Sequence, residues 1–501
     1  MNHSLLFAIA VASSDVAELR AEVVRLLEPA FERIVEAAVT CALESATPAK
    51  TLAFEETLEQ DGRELLRQAT EWAYNRPEAD GPEALPHDVR FDGDGYRRLN
   101  RATPNPHVGT LFGTITLRRH GYRSWHRDDG LPTLFPREHQ LGLVQGATPA
   151  LLNRVGQYLA EAGATQQNVL QRLKDRHGVG WGVKRLRDAA AELAERLEPY
   201  RRQEAVKQLL EWMQQAEDSS GRHRPVLSVG RDGITLCTAP YSFFEVATSA
   251  TVTVIDRGGR RLGTIYLAYS PELGQGRMTD ELTGLLTDLL SAWEGPVPRL
   301  CYVTDAGDHE TAYYRKVLRP MRHPRTDRRL EWYWIVDFYH AAQRLTTLAE
   351  AIFGPGREAT AWAAKMRQVL KKPNGPARVL WSASKLRANR GLRHGQKKAF
   401  ERAYHYLRVR TKYLRYAEYR RLGLPIGSGI TEAAGKTIFT SRLKLSGMRW
   451  KGPSAQTILT LRVILLSGTW SATYAATLAS YNTTLPQPIL STADASLRTA
   501  A

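Results

Sequence analysis

Apolar residues recur every three to four positions from Asp15 to about Arg76, with Leu19, Val23, Leu26, Leu27, Phe31 and Ile34 sharing one face, so residues 1–76 are expected to be helical. The pattern then breaks. Residues 77–107 hold Pro77, Pro82, Pro86, Pro104 and Pro106 among Asp and Gly, the composition of a linker. Val108 to Arg123 alternates in the manner of a strand, giving a small β-rich segment over 108–145. From Thr148 to about Arg202 three helical patterns follow, separated by Ala162-Gly163 and by His177-Gly178-Val179-Gly180, and define a tri-helical unit over 146–202. Its last two helices read like a helix-turn-helix, with Thr165 as a cap and a recognition helix from Trp181 that carries Lys184, Arg185 and Arg187. Simple packing of three helices accounts for the same pattern.

After Ser219-Ser220-Gly221 the hydrophobic period changes from helix to strand. Val226 to Val229, leading into Asp232, then Phe244 to Val254 and Leu262 to Ala268, joined at Asp256-Arg257-Gly258-Gly259, predict an antiparallel meander. A helix from about Asp280 to Trp293, a strand from Leu300 to Val303 ending at Asp305, a second helix, and a strand from Glu331 to Val336 ending at Asp337 complete the series. The order β-β-β-α-β-α-β-α is that of a ribonuclease H-like domain: a mixed five-stranded sheet with flanking helices over 222–337. An all-helical insertion at 338–426 interrupts it before helices over 427–470 close it. Residues 471–501, rich in Ala, Ser and Thr, read as a loosely held tail.

Composition sharpens this outline. The chain has 501 residues, 43% hydrophobic and 24% charged, enough for two to four domains with sizeable cores. Its formal net charge of +17 points to a polyanion, with nucleic acid the leading partner. Nearly all of the surplus sits in one place: Gly356 to Arg421 carries 19 Lys and Arg against three acids. Tyr404, Tyr406, Tyr413, Tyr416 and Tyr419 interleave there with Arg408, Arg410, Lys412 and Arg415, and rings beside bases suit nucleic-acid strands. Solvated helix faces are the plainer account of such a charge run. Cys41, Cys237 and Cys301 are too scattered for a disulfide framework or thiolate metal site, which fits a reducing, cytoplasmic and nucleoid-associated setting. Leu5 to Ala12 resembles a signal core but lacks a basic flank and reads as helix core. No apolar run approaches the roughly 20 residues that span a bilayer.

Metal-dependent phosphodiester cleavage requires a few carboxylates gathered at one point, where two Mg²⁺ or Mn²⁺ ions lie roughly 3.5 to 4 Å apart. Asp232 on the first strand beside Gly233, Asp305 at the end of the fourth before Ala306-Gly307, and Glu432 on the first turn of the helix after Gly427-Ser428-Gly429 meet that need. Lys436 follows one turn later on the same helical face, placed for a phosphate. Singly, each acid has a plainer role as turn residue, helix cap or first-turn Glu, and Asp308 is placed to cap the helix after strand four, leaving Asp305 free. Asp337, three residues before His340, is by spacing a helix cap, with metal ligation and nucleotide positioning as alternatives.

These residues resemble those of bacterial insertion-sequence transposases of the DDE class, specifically the Kra-type group related to the eukaryotic Mutator transposases. The resemblance spans about residues 100 to 470. It is most specific in Gly427-Ser428-Gly429, Glu432, Lys436, Arg442-x-Lys444, Gly447-x-x-Trp450 and Leu461-Arg462, with Asp337 and His340 matching an Asp/Cys-x-x-His element. It implies that Asp232, Asp305 and Glu432 are the catalytic metal-binding triad, that Asp337, His340 and Lys436 shape the site or position DNA, and that Arg442, Lys444 and Trp450 join Lys184, Arg185 and the insertion's bases in contacting DNA. It also implies hydrolysis at the ends of a mobile element and joining of the freed 3′-hydroxyls to double-stranded target DNA, by a homodimer or larger assembly, without a nucleotide cofactor or membrane. Relatives often carry a Cys-rich knuckle where this chain reads Tyr122-Arg123-Ser124-Trp125-His126, so no structural zinc is expected. A ribonuclease H-like nuclease that cuts without joining, and a repurposed DNA-binding protein without catalysis, are the rival readings.

Overall fold

The computed structural model describes residues 16–125, 130–241, 243–481 and 484–489. Leu5 to Ala12, His126 and the end of the expected tail therefore lie outside the described residues. The chain is mixed α/β and divides into two units, one of residues 1–159, 164–193 and 477–501, the other of 160–163 and 194–476. No helix among the described residues is long and apolar enough to cross a membrane.

The first unit opens with two long helices, α1 (Val16–Leu43) and α2 (Pro48–Asn75), the second capped by Thr47, whose hydroxyl accepts the Lys50 N–H. The proline-rich stretch that reads as a linker instead carries strands, with Pro77, Pro82, Pro86 and Pro104 lying outside them and Pro106 in the second position of a hairpin strand. The strands are β1 (Asp88–Phe91) and β2 (Asp94–Arg98), followed by β3 (Asn105–Thr110), β4 (Gly113–Leu117) and β5 (Tyr122–Ser124). A four-stranded sheet runs in the order 487–488, β1, β2, β5, while β3 and β4 form a separate hairpin. After α3 (Pro136–Gln140) come α4 (Pro149–Ala160), α5 (Gln166–His177) and α6 (Val183–Asp218). Thr165 caps α5 as expected, its Oγ1 accepting the Asn168 N–H at 3.1 Å. Gly178 ends the helix with φ +61°, a left-handed conformation that glycine adopts without Cβ strain. Helix α6 runs far beyond the expected end near Arg202.

The second unit is built on a five-stranded sheet of β6 (Val226–Thr238), β7 (Phe243–Ile255), β8 (Arg261–Tyr269), β9 (Arg299–Thr304) and β10 (Trp332–Val336), in the order β10-β9-β6-β7-β8. The meander β6-β7-β8 is antiparallel, and β6-β9 and β9-β10 are parallel. Helix α7 (Gly276–Ala292) buries Met278, Leu282, Leu285, Leu286, Leu289 and Leu290, the 3.6-residue stripe of a helix laid on a sheet. After α8 (Asp308–Tyr313) and β10, the inserted segment forms α9 (Phe338–Phe353), α10 (Arg357–Leu370), α11 (Gly375–Arg390), α12 (His394–Val409) and α13 (Tyr416–Arg421). Helices α14 (Gly429–Gly435), α15 (Ser441–Leu443), α16 (Gly452–Leu466) and α17 (Trp470–Ala479) follow. The segment expected to be a loose tail is thus helical at its start, anchored by buried Trp470, Thr473 and Tyr474.

The insertion is not an appendage. Tyr416 and Tyr419 are buried, and their hydroxyls donate to the Val336 and Trp334 carbonyls of β10 at 2.8 and 3.4 Å. Strand β10 is the sheet's edge, so two tyrosines of the basic segment satisfy carbonyls that an edge strand leaves without a neighbour. The expectation that these rings stack on nucleic acid is corrected accordingly: they close the sheet, while Arg415, Arg420 and Arg421 beside them are exposed.

Candidate active site

Strands β6 and β9 run parallel, and their last paired positions are Gly230 and Val303. Asp232 and Asp305 each lie two residues beyond that pair. With a side-chain period of two, both acids stand just past the end of the β6–β9 pairing on neighbouring strands and in matching register, Asp232 still within β6 and Asp305 in the turn after β9. The turn that carries Asp305 is tightly held. Ala306 has φ +62°, Asp305 Oδ1 accepts the Gly307 N–H at 2.9 Å, and a Cβ at Gly307 would collide with Glu310 Oε2. A left-handed alanine costs about 1 kcal/mol or more and persists only where its surroundings impose it. Here α12 does so. The Tyr406 hydroxyl donates to the Asp305 carbonyl at 2.8 Å, and Arg410 donates to the Ala306 carbonyl at 3.0 Å. Asp308 does not cap α8: Gly307 is the cap residue and no side chain supplies the bond.

Glu432 arrives by a different route. Helix α14 touches the sheet at Gly230, where a Cβ would collide with Thr431 Oγ1, and the Thr431 and Thr251 hydroxyls are 2.9 Å apart. Only glycine permits that approach. It sets the residue after Thr431 at the end of the sheet where the two aspartates emerge. The Ser428 hydroxyl donates to Glu432 Oε1 at 2.9 Å, and the carboxylate remains partly exposed.

Asp337 joins the pieces. Fully buried at the end of β10, it caps α9 through Oδ2, which accepts the His340 N–H at 2.9 Å and lies 2.8 Å from His340 Nδ1. Its Oδ1 accepts the Ser428 N–H at 2.8 Å, which ties the start of α14 to the start of α9. His340 Nδ1 is also 4.0 Å from Glu432 Oε1. Among the described residues, Asp337, His340 and Glu432 bring ligand atoms within 4.8 Å of one another. The three acids expected as a triad do not close to that distance as a set. Asp337 already accepts two backbone N–H groups and faces the imidazole, so little of its coordinating capacity remains. It orients, while Asp232, Asp305 and Glu432 keep oxygens free.

The electrostatics reflect crowded carboxylates. Asp232 is held up to about 6, first by burial and then by the negative charge of Asp305, with Glu310 adding to it. Burial and Asp305 likewise raise Glu310. For Asp337, burial pushes upward, but the bonds from the His340 ring, the His340 N–H and the Ser428 N–H outweigh it and hold the carboxyl below its ordinary range. His340 is raised, chiefly by its bond to Asp337 and further by the charges of Asp337, Asp305 and Glu432. Hard carboxylate oxygens that repel one another suit a hard divalent cation such as magnesium or manganese, whose charge relieves that repulsion.

The remaining residues expected to meet DNA divide clearly. Arg408, Lys412, Lys436, Lys444 and Lys184 are exposed. Arg415 is exposed and ion-paired with Glu418, whereas Arg410 lies over the Tyr406 ring and holds the Asp305 turn. Arg442 is 1% exposed and stacks over Trp450, so it cannot meet DNA as placed. Trp450 joins the sheet by backbone bonds to Cys237 and Ala239 and donates its indole N–H to the Leu443 carbonyl at 2.8 Å. Arg185 donates to the Gln145 and His107 carbonyls, and is a packing residue more than a reader of bases. Glu310 is a site residue that the sequence did not single out, although it stands only five residues after Asp305. Tyr406, expected to stack on nucleic acid, instead spends its hydroxyl on the Asp305 carbonyl. The chain matches no protein-family model and no curated protein.

Proposed function

We propose that this protein is a DNA transposase: a ribonuclease H-like enzyme that hydrolyses phosphodiester bonds at the ends of a mobile element and joins the freed 3′-hydroxyls to target DNA. The observation that carries the proposal is the placement of Asp232 and Asp305 two residues past the same register pair of adjacent parallel strands, with Glu432 delivered to that end by the helix seated on Gly230. The sheet order, three antiparallel strands continued by two parallel ones, supports the same reading. So does the display of exposed Arg408, Lys412 and Arg415 on the segment whose Tyr406 and Arg410 hold the Asp305 turn.

In this reading Asp232, Asp305 and Glu432 hold the divalent metal, which supplies the positive charge that activates an attacking oxygen and offsets charge on the leaving one. Asp337 orients His340 and keeps its proton on Nδ1. The raised imidazole then stands between the acids as a positive or hydrogen-bonding group against a phosphate or the flanking strand. Exposed Lys436, one turn beyond Glu432, faces the incoming backbone.

The experiment is end cleavage and strand transfer with magnesium or manganese. Asp232→Asn, Asp305→Asn and Glu432→Gln are each expected to abolish both steps with DNA affinity nearly unchanged, because the amide keeps the shape and loses the charge. Substantial activity in any one of them removes that residue from the site. Cleavage without joining of precleaved ends would favour a hydrolytic nuclease; DNA binding without cleavage would favour a non-catalytic binder.

A further inference from the structure

Strands β6 and β7 pair over their whole lengths, from Val226–Ile255 to Thr238–Phe243. Their neighbours do not follow them. Strand β9 leaves β6 at Gly230, and β8 begins to pair with β7 only at Thr248, so a two-stranded ribbon projects past the sheet at the end where Asp232 lies. Two-stranded ribbons are marginal alone. This one is braced by a third segment: Trp450 bridges Thr238, donating its N–H to the Cys237 carbonyl and accepting the Ala239 N–H. The bridge anchors the Arg442–Trp450 segment to the ribbon and brings Arg449 and Lys451 to its side, both exposed.

The ribbon's end is strongly apolar where water would be expected. Tyr241 is 77% exposed, Phe243 63%, Phe244 76% and Val246 48%. Tyr241 and Phe243 lie on one face with ring centroids 5.9 Å apart, and Phe244 and Val246 alternate to the other. Four neighbouring exposed apolar side chains, three of them aromatic, make the kind of surface that marks a binding site. Its surroundings identify the partner. Lys444, Arg449 and Lys451 are exposed on the braced segment, and Glu245 is the acid within the aromatic run. Rings for π-stacking beside cations for phosphates are the two components of a nucleic-acid strand site. Phe244 pairs with Cys237, five residues along β6 from Asp232, or roughly 17 Å at about 3.3 Å per residue. That is about five base pairs of stacked duplex.

We propose that the tip of the β6–β7 ribbon is a strand-separating wedge: Tyr241, Phe243 and Phe244 stack on unpaired bases about five nucleotides from the scissile phosphate, while Arg449 and Lys451 hold the adjoining backbone. The inference rests on the reading of this protein as a DNA-cleaving enzyme and adds how the duplex is opened beside its site. It also assigns a task to the Gly447-x-x-Trp450 stretch, which braces the wedge.

The test uses the full-length protein with calcium in place of magnesium, so that binding is read without cleavage. The probes are a fully paired duplex and a forked duplex of the same length, with 2-aminopurine at the fork. Wild type is expected to bind the fork about tenfold more tightly and to quench the 2-aminopurine. The Tyr241→Ser, Phe243→Ser, Phe244→Ser triple variant should lose both effects while keeping its duplex affinity and melting temperature, since these rings hold no core. Arg449→Ala with Lys451→Ala should weaken binding to both probes. Duplex binding without fork preference in wild type, or unchanged preference in the triple variant, overturns the wedge alone. Absence of any DNA binding by wild type sinks the parent reading. A wild-type dimer that the triple variant converts to monomer, with fork preference intact, would reassign the patch to pairing between copies of this chain.

Discussion

At the scale of single residues, the candidate site trades stability for charge. Asp232 is raised to about 6, above the ordinary carboxylate value, so its contribution to stability is complete below about pH 4 and is lost as pH rises through about 6. Asp232→Asn removes the charge without the shape. It is expected to stabilise the apoprotein by about 1–3 kcal/mol at pH 7 and by nothing near pH 3, as read by thermal melts across pH. Added magnesium or manganese should raise the melting temperature of wild type more than that of the variant. The Asp337–His340 pair behaves in the opposite sense at its acid end. Asp337 is lowered, so its stabilisation holds above the ordinary carboxylate range and disappears as pH falls through its lowered value. His340 is raised, so its share is full below the ordinary histidine range and disappears as pH climbs through its raised value. Asp337→Ala strands the Ser428 and His340 N–H groups and should cost about 2–4 kcal/mol. His340→Ala, at a half-buried position, should cost under about 1 kcal/mol and yet depress cleavage or joining strongly; normal joining by it would remove His340 from the chemistry.

At the scale of elements, the helix that carries the basic residues also builds the site. Helix α12 and the turn after it reach the Asp305 turn through Tyr406 and Arg410, and the carbonyls they hold flank a left-handed Ala306. Tyr406→Phe removes one hydroxyl and no packing volume. About one hydrogen bond's worth of positioning should disappear, a fall of roughly tenfold in cleavage rate with DNA affinity unchanged. An unchanged rate would mean that the turn holds its shape without this bond. Arg410→Ala belongs with Tyr406→Phe and not with the surface bases, so a variant that combines it with Arg408→Ala mixes two effects. The same double duty appears at β10, where Tyr416 and Tyr419 cover an open edge that would otherwise invite pairing with another chain.

At the scale of the whole molecule, charge and chemistry are separated along the chain and brought together in the second unit. The surplus of Lys and Arg lies between Gly356 and Arg421, while the acids come from strands before it and a helix after it. Replacing exposed Arg408, Lys412 and Arg415 by Ala should weaken binding to every DNA sequence and reduce the salt slope by up to about 0.9 for each phosphate that the variant no longer neutralises. Binding that relaxes in sequence preference at unchanged slope would mean that these residues read base edges instead.

Sequence by itself determined the elements whose pattern is local. The strands of the core, the helix with its leucine stripe, the Thr165 cap and the helical nature of the insertion all follow from periodicities of 2 and 3.6 residues and from short-range capping. It also placed Asp232 on the first strand, Asp305 and Asp337 at strand ends and Glu432 on a first helical turn. The proline-rich stretch before Asn105 has a linker's composition but not a linker's structure, because Asp88 to Arg98 folds as a hairpin, Val89 opposite Tyr96, whose two outer edges are completed by distant partners, residues 487–488 and Tyr122–Ser124. Only the tertiary structure decided which way long side chains point. Tyr416, Tyr419, Arg410 and Arg442 have the composition of a binding surface and spend their polar groups or stacking faces inside the fold, whereas Tyr241, Phe243 and Phe244 have the composition of a core strand and stand in solvent. The reason is physical: periodicity records that a face is apolar or basic, but burial depends on what reaches that face from hundreds of residues away. Here β9 and β8 stop short of the ribbon, and the insertion folds back over the edge of the sheet.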